Sequence, residues 1–391
     1  MYEALSKKDK IDLTDICNYL KAVVIPRTPE DFIVAEPFRH DLTDDEINAG
    51  ISAFRAFLYE LYDRIAADKD RFTTAASAGY TPEAHINTYY PIISDLALIL
   101  FSLGFHGRLE TNPKKELVVD KAELTGDKKK DKRKLEAYRY LAEAGFYFED
   151  ADFLNERESG GDLSKPGTFY VQYEKDENLL TGLKLIAQAQ ANIKNKPHEY
   201  EKTFMRCDFY PLASTKPMIQ KVNIHEFVDS QPPGVQEWIL KMNSLLTENG
   251  CKVDDNLNRF RGSCTFAYMS RKHKKRVCQF QIGISGFIVC VSLADKQDLE
   301  KVLRALPDDV RSEYITNETK GCGGCNTFEC GINLDFEEAG KIYRVCTGSG
   351  YIRRNPTPEQ FKMIERFIDI RREYLNKINK KVYSQEYFKF S

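Results

Sequence analysis

The chain has 391 residues, of which 42% are hydrophobic, 12% aromatic and 30% charged, with a net charge of −2. That length exceeds what one hydrophobic core ordinarily serves, so two domains are expected, and the apolar and aromatic content excludes a disordered chain. The charge is unevenly divided: 39 acidic and 31 basic residues up to Gly234 give −8, whereas 20 acidic and 26 basic from Val235 give +6.

Opposite signs equip the C-terminal half for an anionic partner, although a dedicated DNA-binding domain is usually more basic. The first ten residues lack the apolar stretch of a signal peptide. The longest strongly apolar stretch, 92–103, is shorter than the roughly 20 residues that span a bilayer. A cytoplasmic protein without membrane association is therefore expected, with its ten cysteines reduced or metal-bound rather than in structural disulfides.

In chain order, Thr43-x-x-Glu46 reads as a capping box. Ile47, Ile51, Phe54, Leu58, Leu61 and Ile65 then repeat at helical spacing, which predicts an amphipathic helix. Pro91 opens a second helix, apolar almost all round and so buried, with Gly104 as its expected C-cap. Leu109, Asn112-Pro113 and Leu117–Val119 predict a small β-hairpin after it. The theme recurs: helix 135–144, Gly145, then strands at 146–148 and 169–173; later helix 239–249, Gly250, and strand 260–269. A helix followed by a hairpin is winged-helix-like, and the basic run Lys128–Lys134 begins the second of these helices.

Pro211, Pro217, Pro232 and Pro233 crowd one segment, which predicts a linker over 211–234 between a helical α+β domain, 1–210 with a sub-boundary near 125, and a second domain, 235–391. In the latter, strands at 260–269, 277–283 and 287–293 predict an antiparallel meander. Helix 296–306, a strand at 340–346 and a last helix capped by Thr357-Pro358-Glu359-Gln360 complete it. The fold class is α+β: a mostly helical N-terminal half with small hairpins, and a C-terminal antiparallel sheet packed with helices.

Two sequence features carry candidate chemistry. Cys322-Gly-Gly-Cys325, Cys330 and Cys346 put four thiols in 25 residues. Glycines between the first two let both sulfurs face one ion, so a closed four-thiolate structural zinc site is one reading; buried thiols and a Cys-Gly-Gly-Cys redox pair are the others. The segment 256–294 holds no carboxylate, and Arg271, Lys272, Lys274, Lys275 and Arg276 cluster in its first turn. Such a basic turn is able to contact phosphates, with Phe266 and Tyr268 near for stacking; a solvated turn that blocks edge pairing is the plainer alternative. His106, His198-Glu199 and His225-Glu226 read as surface or turn residues. No nucleophile, phosphate-loop or zinc-protease motif assigns a catalytic residue.

The stretches Tyr89–Leu96, Leu100–Gly107, Leu180–Gln188 and Met205–Asp208 resemble a group of clostridial (Firmicutes) proteins to which no activity is assigned. The resemblance implies lineage and no site residue. Taken together, the sequence predicts a non-enzymatic binding or regulatory protein for a small molecule or protein, with a zinc clamp in its C-terminal domain. The alternatives are a nucleic-acid-associated protein using the basic turn, and a thiol enzyme.

Overall fold

The computed structural model describes residues 12–26, 32–72, 91–111, 114–120, 123, 131–149, 167–193, 204–216, 223–258, 263–284, 286–316, 333–346 and 350–378. They fall into two compact units, one ending at 216 and the other starting at 223. The fold class is α+β. Among the described residues no helix is long and apolar enough to cross a membrane.

The first unit begins with α1 (Leu13–Tyr19), which runs on into a π turn through Val24. In α2 (Asp44–Ala67) the Thr43 hydroxyl accepts from Glu46 N (3.3 Å), and the Glu46 carboxylate accepts from Thr43 N (2.8 Å). All six periodic apolar residues of α2 are buried, each contributing about 1.5–3 kcal/mol relative to exposure. A short α3 (Lys69–Phe72) and α4 (Pro91–His106) follow. Gly104 does not end α4, which continues to His106. A Cβ at that position would overlap the backbone of Leu183, so this glycine serves helix approach rather than termination. The helix end is instead capped by Lys184, whose Nζ donates to the Gly104 and Gly107 carbonyls; burial lowers the amine's pKa below its ordinary value.

Strands β1 (Arg108–Thr111) and β2 (Lys115–Asp120), helix α5 (Asp131–Glu143), and strands β3 (Phe146–Glu149) and β4 (Thr168–Tyr173) come next. They form an antiparallel sheet ordered β1-β2-β4-β3. Gly145, at φ +113, makes the reversal from α5 into β3. Helix α6 (Asn178–Ala191) is buried nearly all round and packs against α2 and α4. Gly50 of α2 meets Gly182 of α6 so closely that a Cβ on Gly182 would overlap the Gly50 carbonyl.

The segment expected as a linker is built into the two units at its ends. Leu212 is buried; its carbonyl accepts from Ala35 N (2.9 Å), and Pro211 O accepts from the Asn192 amide (2.7 Å). At the other end α7 (Ile224–Val228) places Phe227 against Phe266, and Pro233 opens α8 (Pro233–Glu248).

The second unit carries β5 (Cys251–Asn258), β6 (Ser263–Ser270), β7 (Arg276–Gly283) and β8 (Gly286–Val291) as an antiparallel meander. Then come α9 (Leu299–Ala305), α10 (Asp308–Thr316), the hairpin β9 (Asn333–Glu338) and β10 (Lys341–Cys346), β11 (Tyr351–Arg354) and α11 (Pro358–Ile378). β11 pairs with β8 and completes a five-stranded sheet, β11-β8-β7-β6-β5. Alternation puts Cys264, Phe266, Tyr268, Phe280, Phe287 and Val289 on one buried face. Helices α7, α8 and α11 contribute Phe227, Trp238 and Phe361 to the same aromatic core, the last two rings stacked at 4.6 Å. Gln279, Gln281, Thr265 and Ala267 line the opposite, half-buried face.

Candidate functional site

The basic turn joins β6 to β7 and begins at a bulge. Tyr268 pairs with Cys278, but Met269 pairs with Arg276, leaving Val277 as an extra residue on β7. A bulge increases local twist and re-aims the adjoining turn. The turn closes through its own backbone: Ser270 N donates to Lys275 O (2.9 Å), Lys274 N to Ser270 O (2.9 Å) and Arg271 N to Gly250 O (3.0 Å). The Ser270 hydroxyl accepts from His273 N (3.2 Å). Lys274 sits at φ +55, a left-handed conformation in which a side chain costs about 1–2 kcal/mol.

Five cations were expected to act together here, and the structure divides them. Lys275 donates its ammonium to Asp295, and Arg276 Nη1 donates to Gln279 Oε1 (2.8 Å). Arg371 of α11, nearly fully buried, donates to Arg276 O (3.0 Å) and to Asp295 Oδ1 (3.3 Å). Burial works to raise the Asp295 carboxyl, but Lys275 and Arg371 outweigh it and hold it below its ordinary value. Lys275 thus fastens the turn to the loop after β8, and the Arg276 carbonyl ties it to α11, while the Arg276 guanidinium bonds to Gln279 on its own strand. Arg271, Lys272 and Lys274 are exposed, and no carboxylate among the described residues pairs with them. His273 Nε2 lies 3.3 Å from Asn376 Oδ1, a second tie from the turn to α11.

The expected stacking partners do not face solvent. Phe266 and Tyr268 are 1% and 0% exposed, on the sheet face under α7 and α8, where Tyr268 Oη donates to Asn243 Oδ1 (2.9 Å). They point inward because the alternation that buries Cys264 buries them too.

Of the thiol cluster, Cys322, Cys325 and Cys330 lie outside the described residues, and for Cys346 only the backbone is described. It ends β10 directly opposite Asn333, the first residue of β9. Among the described residues no three His, Cys, Asp or Glu side chains are grouped to hold a metal ion. Three of the other thiols are poor nucleophiles. Burial pushes Cys17 and Cys207 up to about 12 and Cys278 well above its ordinary value. His106 is a surface residue paired with Glu123 (3.2 Å), His225 is exposed, and His198 lies outside the described residues. Lys134, last of the other basic run, is buried in the first unit.

A second polar cluster escapes sequence reasoning. In 204–208, Arg206 and Asp208 are each 1% exposed, with Arg206 Nε 4.0 Å from Asp208 Oδ2. Between them Cys207 sits at φ +55, and Tyr62 Oη donates to the Met205 carbonyl. The sequence signal was two opposite charges placed inside an aromatic run, Phe204 to Tyr210. With neither charge reaching solvent, this cluster is a core device of the first unit.

Compared with known proteins, the chain matches no family model, no curated protein and no solved structure.

Proposed function

We propose that this chain is a non-enzymatic binding or regulatory protein whose C-terminal unit holds an anionic partner through Arg271, Lys272 and Lys274. One observation carries this reading: of the five cations of the turn, Lys275 anchors it to Asp295 and Arg276 bonds to Gln279 of its own strand, while Arg271, Lys272 and Lys274 are exposed with no carboxylate among the described residues paired with them. Fixing the backbone beforehand lowers the ordering cost that a flexible basic loop would incur on binding. The +6 charge of the half that holds the turn adds long-range attraction of the same sign. Retention on an immobilised polyanion tests it. Wild-type protein should require more salt for elution than Arg271→Gln/Lys272→Gln/Lys274→Gln, and equal elution of the two would end the proposal.

A zinc clamp is the second reading, favoured by the hairpin register. Cys346 ends β10 opposite Asn333, the first residue of β9, and Cys330 precedes Asn333 by three residues in sequence. Cys322 and Cys325 would complete the four-thiolate set. The protein suits a direct test, because Cys17, Cys207, Cys251, Cys264 and Cys278 are buried and should stay silent in a native thiol titration. One zinc per chain, with four thiols becoming reactive on chelation, is the expected result. Metal-free protein with Cys322 and Cys325 alkylated at once would favour the redox pair instead.

A further inference from the structure

The cationic surface does not stop at the turn. Helix α11 lies beside it: His273 meets Asn376, and Arg371 reaches under the turn to the Arg276 carbonyl. One residue on from Arg371, the Arg372 side chain is partly exposed. Arg372 stands four residues, about one helical turn, before Asn376, which His273 of the turn meets, so it shares the helix edge that faces the turn. Three carboxylates on the elements beside this surface have cationic partners. Asp295 is taken by Lys275 and Arg371, Glu373 lies 3.7 Å from Lys377, and Asp369 lies 3.2 Å from Arg372 as an exposed pair. An exposed pair of that kind contributes about 0–1 kcal/mol and yields readily to a competing phosphate.

What the surface lacks narrows the partner. From Ser270 to Arg276 the turn has no apolar residue to enter a bilayer. The described aromatic side chains of β6, Phe266 and Tyr268, are in the core, so among the described residues that strand offers no platform to stack an unpaired base. What remains suits closely spaced phosphates on a stiff scaffold. A duplex presents one charge per about 1.7 Å of its axis and so tolerates cations of irregular spacing.

Resting on the anionic-partner reading above, we propose that Arg271, Lys272, Lys274 and Arg372 form one contact for the phosphate backbone of double-stranded nucleic acid, without regard to base sequence.

The test is fluorescence anisotropy of the full chain with a labelled DNA duplex of about 20 base pairs, repeated across a salt series. Four neutralised phosphates predict a log–log salt slope of about −3.6, at about −0.9 per contact. Arg372→Gln should make that slope shallower by about one, and Arg271→Gln/Lys272→Gln/Lys274→Gln by about three, with unchanged circular dichroism and thermal midpoint. Two duplexes of unrelated sequence should bind alike. An unchanged slope for Arg372→Gln would remove that residue from the site and overturn the proposal as stated. Tighter binding of the matching single strand, or of phosphatidylserine vesicles, would overturn it in favour of those partners. Binding to heparin but not to duplex would overturn the duplex assignment and leave the anionic-partner reading standing. Binding to no polyanion at all would overturn both.

Discussion

Two short segments of this chain hold arginine near aspartate, and they use the pairing in opposite ways. In 204–208, Arg206 and Asp208 are sealed in the first unit among Phe204, Phe209 and Tyr62, with neither charge reaching solvent. Around 270–276, one carboxylate, Asp295, ties down Lys275 and Arg371, and the neighbouring Arg271, Lys272 and Lys274 remain in water. A buried charge is committed to the fold, because removing its partner leaves an uncompensated ion in a medium of low dielectric. An exposed charge adds little to folding and stays free for a ligand. Both segments contain a non-glycine residue at φ +55, Cys207 in one and Lys274 in the other. Backbone strain therefore marks each, and burial decides whether the segment serves stability or binding.

The sharpest way to break this contrast is Asp208→Asn. Removing one of two neighbouring buried charges is expected to lower the midpoint in denaturant, with no change in polyanion binding. Gly182→Ala comes next. A methyl there would meet the Gly50 carbonyl, so the α2–α6 crossing must open at a cost of about 1–3 kcal/mol. Gly234→Ala in the first turn of α8 meets nothing within 4 Å and should be neutral or slightly stabilising in the same assay.

Lys274→Gly separates strain from charge within one residue. Glycine adopts φ +55 freely, so stability should rise by about 1 kcal/mol while polyanion binding weakens. A stabilised variant with unchanged binding would show that this cation contributes nothing. Asp295→Asn is followed against pH. The folded carboxyl lies below its ordinary value, so its contribution is present above about pH 3.9 and lost as pH falls through the folded value. The wild-type advantage over Asp295→Asn at neutral pH should accordingly fade below about pH 4 in acid-unfolding curves. A constant difference down to pH 2 would remove the carboxylate's role as anchor.

Local features of this fold were legible in the sequence, and features set by distant residues were not. Helix α2 was readable because its capping box and apolar spacing are both written within 24 residues. Helix α6 was not picked out as an element, since being buried on every side erases the periodicity that marks a helix. Strands β5, β9 and β11 escaped for the reverse reason: they are polar or short, and β5 and β11 are the edges of their sheet. The glycines that end α5 and α8 were recognisable, whereas Gly104 has the same appearance and a different task, visible only once Leu183 packs on it. The basic turn was evident as composition. Its division into anchoring and free cations was not, because that depends on Asp295 and Arg371, which lie 20 residues from Lys275 and 95 from Arg276. The buried places of Phe266 and Tyr268 depended on which face the helices cover.

The measurement closest to the central claim compares two variants on an immobilised polyanion, with thermal unfolding run on the same samples. Arg271→Gln/Lys272→Gln/Lys274→Gln should elute at much lower salt than wild type with an unchanged unfolding midpoint, whereas Lys275→Met should unfold earlier and keep most of its retention. The opposite pattern, with retention lost on replacing Lys275 and preserved in the triple variant, would contradict the assignment of anchoring and binding roles within the turn.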